Sequence, residues 1–492
     1  MTNARARLLG LAACLSLPLL STGCGEQPAT ESPDVGIVHP ADAAKPAFDT
    51  GVPDTMDASA TSEDAGTVAG DTGTTSTDAQ LAATDGAMTA EDASASLPDT
   101  GIATTPDTGT VIEADAGSTS PDAGFVSCGR VAKSPDRPRK IVLAHPFTDD
   151  PANNNKAKVW DILDLSTTGE VTMPNPRVSF TMGRGSYGEV VFTPDGEIAL
   201  APQDDGTLGV LKFDAAGNVQ VLHTHWTDGF WVDRLVMDST GDRFYAVDGE
   251  WPNIGGGIYS VRIGCDGSLT NEGRILSAKS PAALVYLPGR APQVFLFGKE
   301  VLTATPLAHA HLLDWGATPS LVASGTVFPD DDAIVSDARV MPDGQWLLLS
   351  DNSGFGTHRV AVAELQPSGI RAVQILTSFN DPAQVVPSPY GNAAIVVSGE
   401  GNSIHRLTFD PSSANAPFAV AGTIAYLGGT KPELPLVAVA MQSGNLFGRV
   451  YIAELSGIRQ VQFEANGGVT DLGLTKFLTG FDGITGTMGV QP

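Results

Sequence analysis

A hairpin signature returns seven times along the last three quarters of this chain. It is an alternating apolar strand, an Asp-like residue and a tight glycine turn. The copies are VWDILDLSTTGEV, VLKFDAAGNVQV, SVRIGCDGSLT, HLLDWGATPSLV, VAELQPSGIRAV, HRLTFDPSSA and VQFEANGGVT. Their turn residues (Gly169, Gly217, Gly267, Gly316, Gly369, Ser413 and Gly467) are spaced by 48, 50, 49, 53, 44 and 54. A period near fifty is the mark of a repeat architecture, in which one small unit cannot bury its apolar face alone and stacks on its neighbours. A second signature interleaves with the first: VVFTPDGEIALAP, LVMDSTGDRFYAV, LVYLPGRAPQVFLF, ARVMPDGQWLLLS, VVPSPYGNAAIVVS and VAMQSGNLFGRVYIAE. Each precedes one copy of the first, from the second copy onward. Every unit then reads as four antiparallel strands, A-turn-B and C-turn-D, which is the composition of a propeller blade. The expected fold is all-β, a seven-bladed β-propeller of four-stranded antiparallel blades over residues 128–492.

The first unit has no A strand; it begins with the B strand KIVLAHP at Lys140. The chain ends in GITGTMGVQP, after the seventh D strand, and this tail has the pattern of an A strand. The prediction is that Ile484–Val490 supplies the innermost strand of blade one, so that the ring has no open edge.

FTPDGEIAL and VMPDGQWLLL resemble the YVTN and lactonase-like seven-bladed propellers. KVWDILDLSTTG also resembles the end of a WD repeat, although no other blade carries Trp-Asp there. The propeller resemblance covers about three quarters of the chain. It implies the fold, and it raises lactone hydrolysis as an activity, though a shared fold does not fix a function. The lactonase-like families often carry histidine in P-H-x-x-x-F-x-P-D-G. This chain departs from that pattern, with Tyr187 and Gly188 in SYGEVVFTPDG, and Val335 and Ser336 at a comparable connection.

The N-terminal residues 1–24, MTNARARLLGLAACLSLPLLSTGC, have Arg5 and Arg7 ahead of an apolar run that is short for a membrane span. The run resembles a bacterial lipoprotein signal with its lipobox, which implies lipidation at Cys24 and export to the cell envelope. Ser21 stands where the lipobox usually has leucine. Gly25, by analogy with enteric sorting, points to the outer membrane. Residues 25–127 are dominated by Asp, Ala, Thr, Ser, Gly and Pro, with 19 acidic residues and one basic residue, Lys45. Such a segment cannot bury enough apolar surface to offset its ordering entropy, and is expected to be a disordered, self-repelling tether. It resembles the linkers behind lipid anchors in myxobacterial lipoproteins. It carries −18 of the chain's net −28, and the globular region carries −12. That balance excludes nucleic acid as a partner and makes the membrane a partner only through a lipid anchor.

If the leader removes Cys14 and Cys24 takes lipid, Cys128 and Cys265 remain. In an oxidising envelope they are one possible disulfide; two free thiols are the alternative.

Several motifs resemble catalytic ones. GRGSYGEV (183–190) fits the kinase glycine-loop pattern but lacks the downstream lysine strand, H-R-D and D-F-G, so it reads as the start of blade two. His309 and His311 lie on one face of a C strand, where two imidazoles could hold a metal, or pack between blades. HTHWTDGFWVDR (223–234) joins blade two to blade three, its histidines ending one strand and Trp231, Asp233 and Arg234 opening the next. In a propeller, D-to-A connections and B–C loops gather around one mouth of the central channel. That face is predicted to collect Glu189, Arg234, Asp337, Arg339 and Gln384 from the connections, with Asp204, Asp248, Glu250 and Asp351 from the loops. Converging carboxylates suit Ca²⁺ or another divalent cation, a cationic group or a sugar; the alternative is Asp–Arg links between blades. The function expected is a binding module, monomeric, for a protein, glycan or small molecule. The alternative is a lactonase-like hydrolase with a divalent cation in the channel.

Overall fold

The computed structural model describes residues 127–145, 159–226, 232–249, 256–302, 309–353, 357–477 and 487–492, apart from short gaps at 184, 186–187, 204–205, 233, 291, 300, 317 and 330–332. The leader, Cys24 and the tether therefore lie outside the described residues. Within them the chain forms seven antiparallel sheets arranged as a seven-bladed β-propeller. Blade two is typical, with strands Val191–Phe192, Ile198–Pro202, Leu208–Phe213 and Val219–Trp226 in that order from channel to rim. No helix among the described residues is long and apolar enough to cross a membrane.

The repeat signatures have a local cause. In the C–D hairpin of blade two, Gly217 donates to the Asp214 carbonyl at 3.0 Å with φ +81°, a conformation that side chains with a Cβ rarely adopt. The Asp214 carboxylate accepts from the amides of Ala216 and Asn218 at 2.9 and 2.8 Å. The Asp-then-Gly spacing is thus a turn that fixes register.

The B strands, and the C strands of every blade but the sixth, are largely buried on both faces, because blades stack face to face. The apolar core consequently divides into seven clusters, one at each blade-to-blade interface. The seam between blades seven and one packs Tyr451, Ala453 and Ile458 against Ile141, Leu143, Met488 and Val490. The innermost strand of blade one is Met488–Val490, paired antiparallel with Arg139–His145 through Val490–Ile141, Gly489–Val142 and Met488–Leu143. Residues 484–486 of the predicted closing strand lie outside the described residues.

Blade one differs from the expected four strands. Its outer strand is split into Val171–Thr172 and Val178–Thr181, both paired with Val159–Leu165. The intervening MPNP supplies the reason, since proline donates no ladder hydrogen bond and interrupts a strand.

A strap of residues 127–138 runs over the A–B and C–D turns, at the opposite end of the sheets from the D–A connections. Cys128 is bonded to Cys265 in the C–D turn of blade three. The buried Arg130 guanidinium lies between Asp195 of blade two, at 3.3 Å, and Asp242 of blade three, at 3.6 Å. Asp136 accepts from the Asn445 amide of blade seven at 2.6 Å. Arg137 donates to Gln491 at 3.2 Å and to the Pro492 carbonyl at 3.0 Å.

Candidate functional site

The A strands stand around a central cavity of about 280 Å³. This is at the small end of ligand sites, which run to roughly 300–1,000 Å³, so it suits a small molecule rather than a polymer. Part of the wall is apolar, with Ala283, Leu284 and Val285 from blade four and Leu436 and Val437 at blade seven. Blades two, three, five and six add further apolar residues and a polar cluster.

Asp337 and Arg339, two residues apart on the A strand Val335–Val340, project to the same side by the period of a strand. The Arg339 Nε donates to the Asp337 carboxylate at 3.1 and 3.2 Å. Asp337 is buried and also accepts from the Val385 amide at 3.2 Å, while a guanidinium nitrogen of Arg234 stands 4.0 Å away. Arg339 reaches in addition to Glu189, which forms an ion pair with its Nη2. Glu189 is on blade two and Arg339 on blade five, as far apart as a ring of seven allows, so this bond spans the channel. Gln384, on blade six, donates to the same Glu189 oxygen at 2.8 Å, and its own oxygen accepts from the Ala438 amide of blade seven.

Burial alone would lower the pKa of Arg339, but Asp337 and Glu189 outweigh it and hold the pKa up. The guanidinium stays charged at any working pH, although 33 % of the side-chain surface faces the open channel. Tyr286, on the neighbouring blade four, has its phenol pKa raised, first by burial and then by the adjacent Tyr245.

Glu189 owes its place to the closing strand. It forms an isolated bridge with Met488, and the amide of Val190 donates to the Met488 carbonyl at 2.9 Å.

Five of the eleven residues predicted for this face come together: Glu189, Arg234, Asp337, Arg339 and Gln384. Trp231, Asp233, Asp204 and Glu250 lie outside the described residues. Asp351 is turned into blade five, fully buried against Arg359 at 2.8 Å and accepting from the Ile334 amide at 2.9 Å. Its register partner across the hairpin is Arg359, and that pairing was the available signal. Asp248 is fully buried at the end of a B strand, opposite Gly257, and does not line the cavity. Tyr286 was not anticipated; it is one aromatic residue in an otherwise ordinary A strand. His223 is exposed on the D strand of blade two, opposite Val210. His311 is buried, its ring nitrogens within 3.0 Å of the Ser324 hydroxyl and 2.9 Å of the Gly298 carbonyl, and His309 packs edge-on to Phe297. Both follow the packing alternative.

A divalent cation fits this donor set poorly. Asp337 and Glu189 already face Arg339, and Arg234 adds a second positive charge. Among the described residues no group of three His, Cys, Asp or Glu side chains could hold a metal. Among the described lining residues there is no histidine, cysteine or lysine, and the Ser336 hydroxyl donates to the Pro382 carbonyl at 2.8 Å.

The fold and cavity define a seven-bladed β-propeller with a polar, charge-paired channel. Solved propellers match it. A Bacteroides fragilis protein provisionally described as a 6-phosphogluconolactonase aligns with a TM-score of 0.51 at 13% identity, over 72% of this chain and 98% of that one. The periplasmic gluconolactonase of Pseudomonas aeruginosa aligns with a TM-score of 0.49 at 15% identity, over 72% of this chain and 99% of that one. At such identities the likeness is one of fold. The sequence matches no family model and no curated protein.

Proposed function

We propose that this protein is an exported, lipid-anchored β-propeller that binds a small polar molecule in its central channel. The cluster of Glu189, Arg234, Asp337, Arg339 and Gln384 carries this reading. Five charged or amide side chains from four blades converge on one small cavity. Apolar packing would hold the ring together without them, and taking charges out of water has a desolvation cost that pairing often offsets only in part. Lipidation at Cys24 and an outer-membrane location are the matching cellular reading; a disulfide at Cys128 is in keeping with an oxidising compartment.

The test is thermal denaturation of the purified protein against a panel of small anions, cations and neutral polyols, repeated with Arg339→Gln. A ligand of the native state raises the melting temperature. At least one compound is expected to do so in the wild type and to lose the effect in the variant. If hits persist unchanged in Arg339→Gln, the channel is not the site. Incorporation of labelled fatty acid, lost in Cys24→Ala, tests the anchor.

The likeness of fold to the Bacteroides fragilis protein favours a second reading, lactone hydrolysis. Glu189 would activate water as a general base, and Arg339 would stabilise charge developing on the carbonyl oxygen. Turnover of simple lactones that is lost in Glu189→Gln and unaffected by chelator would support it. Absence of turnover in protein that still binds its ligand leaves the binding module.

A further inference from the structure

We infer that Glu189 is a built-in competitor for the ligand. The cavity takes a small compound bearing a carboxylate or phosphate, and that anion replaces the Glu189 carboxylate on Arg339. This deepens the binding reading above and rests on it.

The two carboxylates of the cluster are held very differently. Asp337 is buried, accepts a backbone amide and lies on the same strand as its guanidinium partner. Glu189 comes from the opposite side of the ring and keeps 29% of its side chain exposed. Its carboxylate is held by two side chains, the Arg339 guanidinium and the Gln384 amide, and both converge on one oxygen, Oε1. The A strand of blade two, Val191–Phe192, starts after Glu189, so the residue is carried on a connection and not in a ladder. Swinging its side chain aside breaks no strand pairing.

With Glu189 withdrawn, the described wall presents the guanidinium groups of Arg234 and Arg339 with the carboxylate of Asp337 between them. An incoming oxyanion at the Oε1 position would accept from both the guanidinium and the amide, two donors already aimed at one point. Charge-assisted bonds of this kind are the stronger ones, and a guanidinium fits carboxylate and phosphate equally well. The apolar wall of blades four and seven then meets the rest of the ligand.

Calorimetric titration of the full-length protein tests this, with inorganic phosphate, D-galacturonate and neutral D-galactose as probes. Glu189→Gln keeps the shape of the residue and removes its charge; Glu189→Ala removes the side chain and serves if the first variant melts abnormally. Either is expected to bind phosphate or galacturonate at least tenfold more tightly than wild type, with galactose unchanged, and adding Arg339→Gln should abolish the gain. The anion that gains more tells a phosphate site from a carboxylate site. Equal or weaker anion binding in both Glu189 variants overturns the proposal. If such variants still bind galactose as the wild type does, only the competitor has failed and the binding reading stands. If no probe binds any form, the anion site is refuted.

Discussion

Arg137 donates to the side-chain oxygen of Gln491, 354 residues further along the chain. The side-chain amide of the same Gln491 donates to the Gly196 carbonyl of blade two at 2.6 Å, its backbone amide donates to the Lys140 carbonyl at 2.9 Å, and its side-chain oxygen accepts from the Lys140 amide at 3.2 Å. The two ends of the folded region are thus knotted at one seam, over the closing strand of blade one.

Removing that strand should be costly. Met488 and Val490 are buried in the cluster between blades seven and one, and fully buried apolar side chains contribute about 1.5–3 kcal/mol each. A chain lacking its last ten residues is expected to melt far below the full protein or to lose its cooperative transition. Arg137→Ala, which removes only the clasp, should cost about 1 kcal/mol. Identical melting of truncated and full chains would contradict the closure.

The Cys128–Cys265 bridge joins residues 137 apart. Closing a loop of this length restricts the unfolded chain, and removing such a bridge typically costs about 2–4 kcal/mol. Urea denaturation of a Cys128→Ser, Cys265→Ser double variant should show a lower midpoint, and reductant should lower that of the wild type to match. Ligand binding in the channel should survive, because the strap lies at the other end of the sheets.

Blade seven holds a fully buried ionic triad. Arg459 donates to Asp471 at 2.6 Å, to Glu454 and to the Thr430 carbonyl at 3.0 Å, while the Leu427 amide donates to Asp471 at 2.9 Å. The triad ties the long connection between blades six and seven to the sheet. Arg459→Leu leaves two buried carboxylates uncompensated and should lower unfolding free energy by about 3–5 kcal/mol. Equilibrium denaturation measures it; a change below 1 kcal/mol would mean that the triad is not sealed from water.

Glu272 gives a pH signature. Burial would raise the pKa of its carboxyl, but hydrogen bonds from Arg243, Ser260 and Arg262 outweigh this and hold it at about 2. A carboxylate depressed in the folded state stabilises above its unfolded pKa, and that stability is lost as pH falls through the folded value. The contribution, discounted for partial exposure, is about 1–2 kcal/mol. Glu272→Gln should therefore melt below wild type at pH 6, with the gap closing between pH 4.5 and about 2. A gap that is constant with pH would point to lost packing instead.

Much of the fold is legible in the sequence. Glycine turns and alternating strands are local signals, so the blades and the missing first strand could be read from the chain. The same holds for Cys128 and Cys265, the two cysteines of the folded region. The site was only half legible. Which polar residues start an A strand is local information, and it found Glu189, Arg234, Asp337, Arg339 and Gln384. That Glu189 meets Arg339 depends on the diameter of the ring, to which all seven blades contribute. Asp351 was misjudged for a related reason: proximity to the mouth does not say which way a side chain turns, and Arg359 on the neighbouring strand turns it inward. The strap went unseen because its contacts, such as Arg130 with Asp242, join segments with no repeat between them.

The most direct measurement is a crystal structure of the protein soaked in the compound that stabilises it most. The account predicts ligand density in the central cavity, with an acceptor against Arg339 and the Gln384 amide. Density confined to the rim of the blades, with Glu189 still bonded to Arg339 and the cavity unchanged, would contradict it.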